Sequence, residues 1–342
     1  MTAADGQALL YLDSADVADL CQAIDPLAIV TGAFLAVAAG RAGVTAEAAL
    51  RWTAPDGTAA RSLVLPAWHT ESYGCKIINA CIGNVAHGLP RAQGLIVLFD
   101  PVTAAPVGVL EAARISAMRT AAVSLAGVRA VREFSTVRHV GFLGCGTQAR
   151  THLEMLAARA QPEAVSVHDT EPGRAAALAD HARKLLTQAK VEIAGSPEAA
   201  VGPADLTIAA TTTTTPYVAL RWLPAGATFV NVSLDDATEE LLLGCERLFV
   251  DDWSLIRQDN TRLLGRLAQA GKVTGPGEPS VTGARQVDAD LATLLGGGYS
   301  EPVGPADRVV INPFGMGVHD IALAAQVYAA ALASDRGVRL TR

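Results

Sequence analysis

Charge is scarce in this chain, and what there is comes unclustered. Asp, Glu, Lys and Arg make up 18% of the 342 residues against 50% hydrophobic ones, which excludes a disordered or polyampholytic chain. Lys and Arg number 27 against 34 Asp and Glu, a formal net charge of -7. No basic block interrupts that balance, so a surface for nucleic acid or anionic membrane is excluded. Cys21, Cys75, Cys81, Cys145 and Cys245 are odd in number, scattered and without C-x-x-C spacing. They read as reduced, mostly buried thiols of a cytosolic protein rather than as a disulfide framework. The histidines are dispersed, with no H-x-x-x-H or Cys/His cluster, so no metal is expected. No apolar run reaches the ~20 residues of a membrane helix. The N-terminus, MTAADGQALLYLDSADV, bears acids where a signal peptide carries a basic region. A cytoplasmic protein is expected, its partners small molecules or copies of itself.

The length is that of about two domains, and the chain changes rhythm along its course. Residues 14–40 read as two short helices, each opened by a Ser or Asp cap. ALRWTAPDGTAARSLVLPAW has a D-G turn between alternating runs, a hairpin signal. YGCKIINACIGN reads as a strand, a loop follows at Gly83–Pro90, and GLIVLFDPVTAAPVGVLEA is a second hairpin. These elements predict an α+β domain with a mixed or antiparallel sheet. An Ala-rich helix over Ile115–Val131 bridges to a stricter alternation: HVGFLG, AVSVHD, KVEIAG, DLTIAA, ATFVNVSL, ERLFVDD and RVVINPFG, separated by helical stretches. That is the pattern of a doubly wound parallel sheet. A last helix, Val318–Leu332, is expected to pack back on the first domain. The division expected is 1–120 plus 315–342 and, between them, 121–314.

The sharpest local signal is VRHVGFLGCGTQARTHLEML, in which an apolar strand ends in Gly144-Cys-Gly146-Thr147-Gln148-Ala149 and a helix follows. This is the G-x-G-x-x-A form of the dinucleotide fingerprint. Gly144 permits the tight turn, Gly146 lets backbone approach a pyrophosphate at the helix N-terminus, and Ala149 allows close helix–strand packing. Asp169 ends the next strand, where a carboxylate accepts hydrogen bonds from the adenine ribose and repels a 2′-phosphate. A Rossmann domain binding NAD rather than NADP is therefore expected, with Arg174 as the competing phosphate ligand. Thr211 and Thr212, in the TTTTT run after DLTIAA, are candidates for ribose or nicotinamide contact. The alternative is that these hydroxyls bond only their own backbone.

Two basic residues stand where apolar ones would cost less. Lys76 lies inside YGCKIINACIGN, and Arg119 lies mid-helix in ISAMRTAAVS. An unpaired buried cation is costly, so each is expected to face an anion. An internal acid would serve, but together they suggest a small carboxylate substrate beside a nicotinamide ring.

GCKIINACIGN, HGLPRAQGLIVLFDPVTAAPVGVLEAARISAMRTAAVS, GFLGCGTQA, ADLTIAATTTTTPYV and VNVSLDD resemble, in this order, the ornithine cyclodeaminase/μ-crystallin family. The resemblance implies a substrate-binding and dimerisation domain plus an NAD(P)-binding Rossmann domain, assembled as a homodimer. ISAMRTAAVS, NVSLDD, VDDWSLIRQDNTRLLGRLAQAGKV and INPFGMGVHDIALA are most similar to the dehydrogenase branch of 2,3-diaminopropionate biosynthesis. That branch oxidises N-(2-amino-2-carboxyethyl)-L-glutamate with NAD and water to 2,3-diaminopropionate, 2-oxoglutarate and NADH, in siderophore and peptide-antibiotic pathways. Ala237-Thr238-Glu239 replaces the P-G-K stretch of ornithine cyclodeaminases, which argues against that activity. Asp235 stands where the branch usually has a basic residue.

By the same resemblance Lys76 is the active-site lysine at the substrate carboxylate, and Arg119 is a carboxylate-binding arginine. Arg51 is the candidate for the second carboxylate arginine, with Arg61 as competitor, and Asp236 is the aspartate that activates water or takes the amine proton. Ornithine cyclodeaminase, alanine dehydrogenase, ketimine reductase and a non-catalytic nucleotide-binding protein are the other functions that the scaffold permits.

Overall fold

The computed structural model describes residues 8–341. The acid-bearing residues 1–7 and Arg342, counted above in the first domain, lie outside it. Described residues up to Arg119 together with those from Met316 form one compact unit, and Thr120–Gly315 forms the other.

The first unit contains β1 (Ala8–Leu12), α1 (Ser14–Leu20), α2 (Pro26–Ala38), β2 (Ala42–Val44), β3 (Ala48–Thr53), β4 (Ala59–His69), β5 (Ser72–Cys81), β6 (Ala92–Phe99) and β7 (Pro106–Glu111). A C-terminal helix, Gly317–Ser334, and a C-terminal strand, Val338–Thr341, complete it. Its sheet runs C-terminal strand-β1-β7-β6-β5-β4-β2, with β3 also on β4. Only the β1–β7 pair is parallel, so the sheet is mixed. Both hairpins form at the D-G and D-P turns. Asp13 and Asp25 cap α1 and α2 by accepting backbone N–H bonds, which satisfies donors the first helical turn leaves free. Residues Ile82–His87, expected as loop, form a 3₁₀ helix.

The C-terminal helix packs on β4, β5, β6 and α2. Two glycines let it come close: a Cβ on Gly74 would lie 2.8 Å from Ile321 Cδ1, and one on Gly317 would lie 3.0 Å from the Leu65 carbonyl oxygen. The first turns of this helix therefore press onto the middle of β4 and β5.

In the second unit α3 (Ala113–Val131), which carries the chain across from the first, is followed by β8 (His139–Leu143), α4 (Thr147–Ala157), β9 (Ala164–His168), α5 (Pro172–Leu185), β10 (Lys190–Ile193), β11 (Leu206–Ala209) and β12 (Thr228–Asn231). Next come β13 (Arg247–Val250), β14 (Val273–Thr274), β15 (Arg285–Gln286), β16 (Ala289–Asp290) and β17 (Val309–Asn312), with short helices between. The main sheet is ordered β10-β9-β8-β11-β12-β17-β13-β16 and is parallel throughout. The order reverses between β8 and β11, and ligands of doubly wound sheets bind at the carboxyl ends of such strands. Its strands are fully buried runs such as Leu206–Ala209 and Thr228–Asn231, as a sheet covered on both faces requires.

Candidate functional site

In the first unit Lys76 stands mid-strand on β5, opposite Leu65 of β4 and Ile96 of β6. It is 1% exposed. Its ammonium donates to Asp320 Oδ2 at 2.7 Å and to Ser116 Oγ at 3.4 Å. Asp320 lies in the first turn of the C-terminal helix, where the helix dipole favours a negative charge. Arg119 Nε is 3.3 Å from the other oxygen, Asp320 Oδ1, without the alignment of a hydrogen bond. Both cations that the sequence singles out thus meet one internal carboxylate, the alternative to an external anion. The two cations share this single buried carboxylate, and Glu47 adds a weaker attraction on Lys76. Burial first, and then repulsion from Arg119, pushes the Lys76 ammonium down to about 8, against the pull of Asp320.

His319, beside Asp320, is fully buried against the Phe34 ring at 4.4 Å. Neither of its ring nitrogens has a partner among the described residues. Burial, with Arg119, His69 and Lys76 around it, holds its pKa well below the ordinary value, so the imidazole is neutral. Asp320 and His319 escaped the sequence reading. The available signal was a polar pair inside an otherwise apolar, Ala-rich helix. Arg51 lies elsewhere: β3 is exposed along its length, and Arg51 sits directly opposite Arg61 of β4.

In the second unit the fingerprint occupies the turn from β8 into α4. Gly144 has φ +78°, and a Cβ there would meet the Ala210 carbonyl oxygen at 2.9 Å. The turn thus packs on the chain leaving β11, which only glycine permits. Around Gly146 there is open space, since an added Cβ would meet nothing within 4 Å. Gly146 caps α4 without any side-chain hydrogen bond, which leaves the first N–H groups of the helix free for an anion. Ala149 is fully buried, as close helix packing requires. Asp169 follows β9 and is tied to the same turn: Cys145 N–H donates to its Oδ2 at 2.7 Å, and Glu171 N–H to its Oδ1 at 2.8 Å. A pyrophosphate and an adenine ribose fit this cradle.

Asp236 is fully buried in the same unit. Its Oδ1 accepts the Thr211 hydroxyl at 2.6 Å and the Tyr217 hydroxyl at 3.1 Å, while Oδ2 is buried without a partner. Burial pushes its pKa up, the two hydroxyls pull it back, and Asp235 adds to the rise. The Thr211 hydroxyl, a cofactor candidate from sequence, is spent on Asp236. In the rest of the run, Thr213 and Thr215 bond within the loop itself. Tyr217 is a further residue that sequence reasoning missed. Asp235 faces another way: it accepts the Leu263 N–H at 2.7 Å and pairs with Arg266 at 3.2 Å. An acid at that position fastens the start of the helix over Leu263–Gln269.

An N-((2S)-2-amino-2-carboxyethyl)-L-glutamate dehydrogenase of Staphylococcus aureus is 28% identical over 253 residues, 74% of this chain and 72% of that protein. An alanine dehydrogenase of Archaeoglobus fulgidus is 25% identical over 97% of this chain and 98% of its own. Among solved structures, the crystal structure of CmnK superposes with a TM-score of 0.88 at 35% identity, covering 98% of both chains. The fold agrees with that of this solved structure. The family model for ornithine cyclodeaminase/mu-crystallin proteins matches residues 10–335, nearly the whole described chain, and the protein belongs to that family.

Proposed function

We propose that this chain is an NAD-dependent amino-acid dehydrogenase that oxidatively cleaves an N-substituted amino acid such as N-(2-amino-2-carboxyethyl)-L-glutamate. The products are 2,3-diaminopropionate, 2-oxoglutarate and NADH, made in the cytoplasm for a siderophore or peptide antibiotic. The first unit serves as the substrate and dimerisation domain, and the second as the dinucleotide domain. Gly144, Gly146, Thr147, Gln148 and Ala149 hold the pyrophosphate, and Asp169 takes the adenine ribose and disfavours a 2′-phosphate. Thr212 stays a candidate nicotinamide-side contact.

A bound nicotinamide cofactor would supply the acceptor for a hydride leaving the substrate Cα. Lys76 and Arg119 anchor the α-carboxylate, fixing the direction of the Cα–H bond. Asp236 takes the proton from the secondary amine through Oδ2, so that the nitrogen lone pair forms the C=N bond as hydride leaves. Once that proton has passed to solvent, the Asp236 carboxylate deprotonates the water that adds to the C=N bond and returns this proton to the nitrogen. The carbinolamine collapses to a 2-oxo acid, and its nitrogen departs with a proton as the free amine. The observation that carries this reading is Asp236 itself, with one oxygen held by two hydroxyls and the other buried, bare and raised in pKa. Such a carboxylate is poised as a base.

Alanine oxidation is the second reading, because the likeness to alanine dehydrogenase extends over 97% of the chain. NADH release measured against N-(2-amino-2-carboxyethyl)-L-glutamate, ornithine and alanine separates the two. Turnover of alanine alone would replace the first reading.

A homodimer is part of the proposal. The outer face of the first unit's sheet leaves Leu50, Trp52 and Leu95 exposed, and a second copy would cover them. No single helix among the described residues is long and apolar enough to cross a membrane.

A further inference from the structure

We propose that Asp235 is a positioning residue for Asp236, holding the base in place through a clamp on the helix Leu263–Gln269. The two acids are neighbours in the chain, and their side chains turn to different partners. Asp236 faces Thr211 and Tyr217. Asp235, only 4% exposed, accepts the Leu263 N–H at 2.7 Å through Oδ1 and meets Arg266 Nη2 at 3.2 Å through Oδ2. Each oxygen has its own donor, so the orientation of the carboxyl group is fixed as well as its position. Both partners are donors, which is why an acid serves at this position. A basic residue there would offer Leu263 no acceptor and would face Arg266 charge against charge.

The clamp joins two strand ends of the parallel sheet. Helix Leu263–Gln269 starts at Arg262 without a side-chain cap of its own. Its first N–H groups have no acceptor within the helix, and Asp235 supplies one, with its charge at the end of the helix dipole that favours it. Arg262, at the same helix start, lies 4.4 Å from the centre of the Phe314 ring and donates to the Pro313 carbonyl at 3.4 Å. The Phe314 and Gly315 N–H groups in turn donate to buried Asp251 at 2.7 and 2.6 Å. The helix start is thus anchored to the turn leaving β17, and Asp235 fastens the chain leaving β12 to that anchor. From the other side, the Asp236 carbonyl accepts the Tyr217 and Val218 N–H groups at 3.1 and 2.9 Å, and Asp235 N–H reaches the Thr213 carbonyl at 3.3 Å. The Thr211–Val218 loop therefore grips Asp236 on one side, and the Asp235 carboxylate supplies the hold on the other. A catalytic group displaced by about 1 Å can lose ~10²-fold in rate. This inference rests on the reading of Asp236 as the base.

A double-mutant cycle with Asp236 tests it, read as the single-turnover rate of NADH formation from N-(2-amino-2-carboxyethyl)-L-glutamate or, failing that, alanine. Asp235→Ala is expected to lower the rate ~10–10²-fold, while NADH affinity, titrated separately, stays the same. Asp235→Asn keeps an oxygen for the Leu263 N–H and should recover most of that loss. In Asp236→Asn protein, adding Asp235→Ala should cost nothing further, because a residue that acts only through another falls silent once the other is gone. Equal losses in both backgrounds, or a wild-type rate in Asp235→Ala, overturn the clamp. Should Asp235→Ala fail to fold, Arg266→Ala, at the more exposed end of the pair, enters the same cycle. A loss of a few fold is then expected in the wild-type background alone, and a loss in both or in neither overturns the clamp. Asp236→Asn by itself reports on the underlying reading. If it turns over at the wild-type rate, the base is wrongly assigned, whatever Asp235→Ala does. If it slows as expected and the losses are equal in both backgrounds, the clamp alone fails. If neither substrate yields NADH, both ideas fall.

Discussion

Asp236 has two unlike oxygens, and that asymmetry makes its role measurable. Thr211 and Tyr217 hydrogen bonds favour the carboxylate, opposing the burial that raises its pKa. Removing either donor lifts the pKa further, so Tyr217→Phe or Thr211→Val moves the acid limb of the kcat profile to higher pH. A limb that stays in place would detach Asp236 from the rate. Asp236→Asn is expected to lower kcat by ~10²–10⁴ while NADH still binds. Lys76 gives the opposite limb. Held near 8, it loses its charge above that pH, and KM for the amino acid should climb there. The same shift bears on folding. The native state binds this proton less tightly than the unfolded chain, whose lysine has the ordinary value of 10.5. Stability should therefore rise as pH goes from about 8 towards 10.5, and Lys76→Met should abolish that slope. The residues of this site were unequally legible. Lys76 and Arg119 stood out because a cation in an apolar segment costs free energy. Asp320 did not, because its partners come from other elements and helical periodicity does not reveal pairing.

The elements that carry these side chains depend on the C-terminal helix lying tightly against β4 and β5. Asp320→Asn leaves Lys76 and Arg119 facing a neutral amide in a buried place, which should cost about 3–5 kcal/mol in denaturant unfolding. Adding Lys76→Met to that variant should restore part of the loss, because one stranded cation is gone. Unchanged stability in Asp320→Asn would show that the cluster is not held by this carboxylate. At this scale the sequence spoke clearly where periodicity and turn chemistry agreed. The hairpin at Asp56-Gly57 and the step from β8 through Gly144 and Gly146 into α4 formed where expected. It was silent on β1, β2 and the C-terminal strand. β1 is hydrogen-bonded to β7 and to the C-terminal strand, partners distant in sequence, and the C-terminal strand itself is exposed throughout. Asp235 shows the same limit, since its standing in place of a basic residue gave no hint of Leu263 and Arg266 as its partners.

For the molecule as a whole, the apolar outer face of the first unit's sheet sets an expectation about assembly. Sedimentation at micromolar concentration should show a dimer, and Leu50→Glu with Trp52→Glu should shift it towards monomer. A monomeric wild type would contradict the proposed interface. Cofactor choice belongs to the second unit: NAD should bind more tightly than NADP, with Asp169→Ala narrowing the gap, and a wild-type preference for NADP would point instead to Arg174. Both expectations serve one central claim, that a secondary amine is oxidised and then hydrolysed by the same protein. The direct measurement is product stoichiometry by mass spectrometry and absorbance after incubation with NAD and N-(2-amino-2-carboxyethyl)-L-glutamate. The account predicts NADH, 2-oxoglutarate and 2,3-diaminopropionate in equal amounts, with all three strongly reduced in Asp236→Asn. No NADH from this substrate, or NADH without the two cleavage products, would contradict it.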